Sequence, residues 1–66
     1  MDEEALNMSI RKFLKKVGIT SQREIEKAID QANTDGSLDG SPVRVKVTLD
    51  CDLIDGSLTI EDEIRY

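Results

Sequence analysis

The chain has no histidine and no tryptophan, a single cysteine, a single proline, and one residue each of phenylalanine and tyrosine. Each scarcity excludes something. Without histidine the commonest general base is missing, and a nucleophile normally needs a base beside it. One cysteine, Cys51, rules out an intramolecular disulfide. No apolar run reaches the roughly 18 residues that a membrane-spanning helix needs. The amino terminus, Met1-Asp2-Glu3-Glu4, is the opposite of the basic start and apolar stretch of a secretion signal. Position 2 is Asp rather than Gly and the chain ends Ile64-Arg65-Tyr66, so no lipid-anchor motif is present. A reducing cytoplasm is the expected setting.

What is there suits one small domain. The hydrophobic fraction is 38% and the charged fraction 35% over 66 residues, enough for one core and too ordered in pattern for a linker or low-complexity tail. Chains of this length bury only about 60% of the surface they expose when unfolded, and unstapled small domains often gain stability by associating. The net charge of −5 is unevenly spread. Residues 1–34 hold six basic and six acidic side chains, whereas residues 35–66 hold three and eight. An acidic second half repels phosphates and argues against general nucleic-acid or anionic-membrane binding.

Leu6, Ile10, Phe13, Leu14 and Val17 recur at helical spacing, with Arg11, Lys12, Lys15 and Lys16 on the opposite side. Acids at the start and bases at the end suit the helix dipole, and Gly18 fits the left-handed residue that closes a helix. The pattern predicts a first helix over residues 3–17. Ser21-Gln22-Arg23-Glu24 reads as a capping box that opens a second helix over 21–34, with Ile25, Ala28, Ile29 and Ala32 as its stripe. Residues 35–42 form a loop by composition, anchored by Leu38.

From Val43 the period becomes two. Val43, Val45, Val47, Leu49, Cys51 and Leu53 alternate with polar residues, and Leu58, Ile60, Ile64 and Tyr66 resume after Asp55-Gly56. Asp-Gly favours a two-residue primed turn, which predicts strands over 43–53 and 58–66 joined by residues 54–57. That turn sets Leu53 opposite Leu58, Cys51 opposite Ile60, Val47 opposite Ile64 and Val45 opposite Tyr66, with Leu49 facing Asp62. The predicted fold is α+β: two helices and then a hairpin (ααββ), both helices on one face of the sheet.

No candidate chemistry outweighs a plainer reading. Cys51 lies on the predicted apolar face, where a buried thiol behaves as a small inert hydrophobe. Asp50 opposite Glu61 would pair two carboxylates, but so short a chain leaves little room for an enclosed pocket. Two stretches approach a calcium loop and fail at ligand positions. In the first, Gln31 and Pro42 stand where Asp and Glu are needed; in the second, Ile54 and Asp55 replace the fifth ligand and the glycine. No catalytic residue, cofactor site or metal site is expected.

A helix-turn-helix centred on Gly18 would need buried residues at Glu24 and Lys27, whereas the apolar ones are Ile25 and Ala28, one residue out of phase. Met8 with Arg11, Lys12, Lys15 and Lys16 forms a candidate interaction surface for an acidic partner. The plainer reading of the same basic face, a solvated and dipole-matched surface, is the favoured one.

Residues Ala5 to Ala28, ALNMSIRKFLKKVGITSQREIEKA, resemble a family of short bacterial, mostly proteobacterial, proteins of unknown function. The likeness is close in this half and thins to a shared alternation in the second. It implies a bacterial cytoplasmic origin and supplies no site residues. The expected function is a non-enzymatic, protein-interacting domain; a DNA-associated regulator using the basic helix face is the alternative. The expected partners are an unknown protein and a second copy, paired along the hairpin edge at Val43, Val45 and Val47.

Overall fold

The computed structural model describes all 66 residues. One helix, α1 (Glu3–Asp35), is followed by a two-stranded antiparallel hairpin of β1 (Val43–Asp50) and β2 (Ser57–Ile64). The two predicted helices are therefore one, and the ααββ arrangement is corrected to αββ. Gly18 does not close a helix: its φ is not positive, and the chain continues in helical geometry through Thr20 and Ser21. An interior glycine costs about 1 kcal/mol relative to alanine but does not by itself stop a helix. Leu6, Ile10, Phe13, Val17, Ser21, Ile25, Ala28 and Ala32 follow one another at steps of three or four, so a single stripe, apolar but for Ser21, runs straight through the glycine.

The real caps lie at the ends. Asp2 is the N-cap, its Oδ1 accepting the Ala5 N–H at 3.0 Å. At the other end Gly36 takes the left-handed conformation at φ 78°. The Ser37 N–H reaches back to the Ala32 carbonyl at 2.9 Å and the Gly36 N–H to that of Asn33 at 3.4 Å, which is the Schellman pattern.

The hairpin register also differs from the predicted one. Val43 faces Ile64, Val47 faces Ile60, Leu49 faces Leu58 and Asp50 faces Ser57. Either primed two-residue turn needs positive φ at its first central residue; Gly56 has it at 81°, but Asp55, the first, does not. Residues 51–56 instead form a loop in which the Ile54 N–H donates to the Cys51 carbonyl at 2.9 Å. The physical reason lies on the polar face. The observed register sets Arg44 opposite Glu63, Lys46 opposite Glu61 and Thr48 opposite Thr59. The predicted one would have set Lys46 opposite Arg65 and Asp50 opposite Glu61, and like charges directly across a ladder are destabilising. The Ser57 hydroxyl closes the last pair, donating to Asp50 Oδ1 at 2.7 Å.

The hairpin runs back along α1. Ile25, Ala28, Ile29 and Ala32 border one shallow apolar groove with Leu38, Val43 and Val45. Ile10, Phe13 and Leu14 border another with Leu49, Cys51 and Ile54. The Gly40 N–H donates to the Tyr66 hydroxyl at 2.6 Å, tying the connecting loop to the end of the chain. Yet no residue is buried. The radius of gyration is 15.9 Å over extents of 52 × 23 × 15 Å, whereas a compact chain of this length would have about 11 Å.

Candidate interaction face

The apolar face is assembled from two periodicities. On α1 the three-and-four spacing keeps Leu6, Ile10, Phe13 and Leu14 in line with Val17, Ser21, Ile25 and Ile29. On the hairpin the alternation puts Val43, Val45, Val47 and Leu49 beside Ile64, Ile60 and Leu58, and Asp62 is the one charged residue among them. Partial burial on the helix is confined to the second half of the stripe. Val17, Ser21, Ile25, Ile29 and Ala32 are half-buried there, as are Val43, Val45, Leu49 and Ile64. No residue before Val17 reaches even that state. Leu6, Ile10, Phe13 and Leu14 remain 44–55% exposed, and Val47, Leu58 and Ile60 remain 43–59% exposed.

Apart from Asp62, the charged residues are kept off this face. Met8, Arg11, Lys12 and Lys15 gather around one shallow depression on the far side of α1. Lys16 falls elsewhere, next to Phe13, Val17, Thr20 and Ser21 on the flank of the apolar stripe. Four of the five residues expected to share a surface therefore do so. On the hairpin, Val43 and Val45 are half-buried beside the helix while Val47 is exposed.

Cys51 is exposed rather than packed in a core. The register is the reason: β1 ends at Asp50, so Cys51 enters the loop and Leu53, expected opposite Leu58, stands at the tip 95% exposed. Asp50 and Glu61 are not opposed, and no group of three or more His, Cys, Asp or Glu is placed to hold a metal ion. The helix-turn-helix turn does not exist, because its glycine is helical. No helix is long and apolar enough to cross a membrane. One titration is displaced. The Ser41 N–H, at 2.9 Å, and the Ser41 hydroxyl hold the Asp39 carboxyl below its usual range.

The uncovered half of the stripe is the feature that the sequence reading missed. Its signal was available in the continuity of the apolar spacing across Gly18, but dividing the helix supplied each half with the other as cover.

A family model for a family of unknown function, DUF6494, matches residues 1–66. The chain belongs to that family. The match spans the whole chain, so the resemblance read from Ala5 to Ala28 extends through the hairpin. No curated protein matches it, and no solved structure does.

Proposed function

We propose that this member of the family is a non-enzymatic protein-binding module of the bacterial cytoplasm that presents the apolar face of α1 and the hairpin to a partner. The observation that carries this reading is the surface left open. The chain exposes 6198 Å², against about 4,200 Å² for a compact protein of its 7.4 kDa mass. Exposed apolar patches of more than a few hundred Å² on a small protein mark interaction sites. The basic depression around Met8 and Arg11 lies in a chain of net charge −5, which disfavours phosphate-bearing partners.

The test is site-directed photo-crosslinking in cells. A benzophenone amino acid replaces Leu6 on the apolar stripe or Lys12 on the basic face of the full chain. Covalent protein adducts are expected from position 6 and none from position 12. Adducts from position 12 alone would refute the assignment of the face.

A further inference from the structure

We propose that the occupant of this face is a second copy of the chain, docked about a two-fold axis. The first half of the apolar stripe, Leu6 to Leu14, would lie against Val47, Leu58 and Ile60 of the other hairpin. This rests on the protein-binding reading and names the partner.

The area argument comes first. The excess over a compact monomer is about 2,000 Å², and a standard stable interface takes only about 800 Å² from each partner. Two separate copies expose twice 6198 Å², whereas a compact body of twice the mass exposes about 7,000 Å². The surface each copy leaves open is thus more than a standard interface with a second copy requires.

Geometry narrows the mode. A strand of eight residues spans about 27 Å and a helix of 33 residues about 50 Å. One hairpin thus runs beside the stripe from Ala32 to Ile10 and still leaves every residue of it unburied. What is left over on each chain has two complementary parts: an apolar helical ridge on residues 6–14, and a flat apolar strip on β2 with Val47. A two-fold contact is isologous, so the ridge of each copy meets the strip of the other, and both parts are used once with no open end.

Charge placement permits this self-association. Arg11, Lys12 and Lys15 are on the far side of the helix, and Arg44, Lys46, Glu61 and Glu63 are on the polar face of the sheet. The stripe from Leu6 to Ala32 carries no charged position, so Asp62, the one charge on the hairpin's apolar face, meets no like charge on the stripe of the other copy. Finally, a chain with no buried residue needs its partner in order to have a core, and a second copy is present wherever the chain is made.

The experiment uses the full chain at tens of micromolar. Sedimentation equilibrium is expected to give one species near twice the 7.4 kDa chain mass, with a thermal midpoint that rises over a hundredfold increase in concentration. The benzophenone at position 6 should give an adduct of twice the chain mass, with the link mapped to residues 47–60. A species of single-chain mass with a concentration-independent midpoint would overturn the proposal. So would a dimer whose position 6 gives no link, the outcome expected of edge-to-edge strand pairing. Position-6 adducts of any other mass would overturn the second copy while leaving the protein-binding reading in place; absence of every adduct would remove both.

Discussion

Replacing Gly18 by alanine separates one helix from two by the sign of the effect. In the continuous helix Gly18 sits in the interior with ordinary helical geometry, and a Cβ built there meets nothing within 4 Å. Alanine then gains the full propensity difference, about 0.8–1.0 kcal/mol, with no steric penalty to subtract. For a domain of this size 1 kcal/mol moves the thermal midpoint by about 4–8 °C, so Gly18→Ala should raise it by several degrees. Gly36 provides the internal control. It too has open space around a built Cβ, but its φ is 78°, and a left-handed L-residue costs about 1–2 kcal/mol. Gly36→Ala should therefore lower the midpoint by a similar or larger amount. Both variants are followed by circular dichroism at 222 nm, at one fixed protein concentration, because association would otherwise shift the midpoint. If Gly18 closed a first helix in the left-handed conformation, the two substitutions would act alike. A Gly18→Ala variant that melts below the parent refutes the single helix.

Charge reversal tests the register in the same way. Lys46→Glu should destabilise by about 0.2–1 kcal/mol through repulsion with Glu61 opposite, and adding Glu61→Lys should restore stability; a gain from Lys46→Glu alone would point to Arg65 as its neighbour. Cys51 is exposed in the 51–56 loop, so Cys51→Ser should stay within about 0.5 kcal/mol of the parent, and a loss of several kcal/mol on chemical denaturation would show a packed thiol. The Asp39 carboxyl is held low by the Ser41 N–H and hydroxyl. Its contribution is present above the ordinary carboxylate pKa of about 4 and is lost as pH falls through its depressed folded value. Carboxyl carbon NMR should show that depressed midpoint, moving part of the way up in Ser41→Ala, which keeps the N–H; an Asp39 midpoint in the ordinary range in the parent chain would contradict the contact.

The legible parts of this molecule are those set by periodicity. The three-and-four spacing placed Leu6 through Val17 on one helical face, and the alternation from Val43 placed Val47, Leu49, Leu58 and Ile60 on one sheet face. Both assignments hold in the structure. The two errors share a cause. Gly18 with Ser21 and Glu24, and Asp55 with Gly56, are local signals that permit a break or a tight turn without requiring one. What decides between the options is nonlocal. Across Gly18 it is the continuity of the apolar stripe toward a single hairpin; across Asp55-Gly56 it is the match of Arg44 and Lys46 with Glu63 and Glu61.

The register error moved each partner by four residues, an even number, and this explains why the face assignment survived it. In a ladder of period two an even slip preserves which side chains point inward and changes only who stands opposite. Apolar alternation therefore could not choose between the two registers, because both put Val47 and Ile60 on the same face. The polar face could choose, since an even slip turns opposite-charge neighbours into like-charge ones. The same even slip shortened β1 to Asp50 and moved Cys51 and Leu53 out into the loop. The pair that was to have completed the core at the tip, Leu53 with Leu58, is thereby lost. Leu58 instead stands opposite Leu49, and with Ile60 and Val47 it forms the strip on which the proposed second copy would rest.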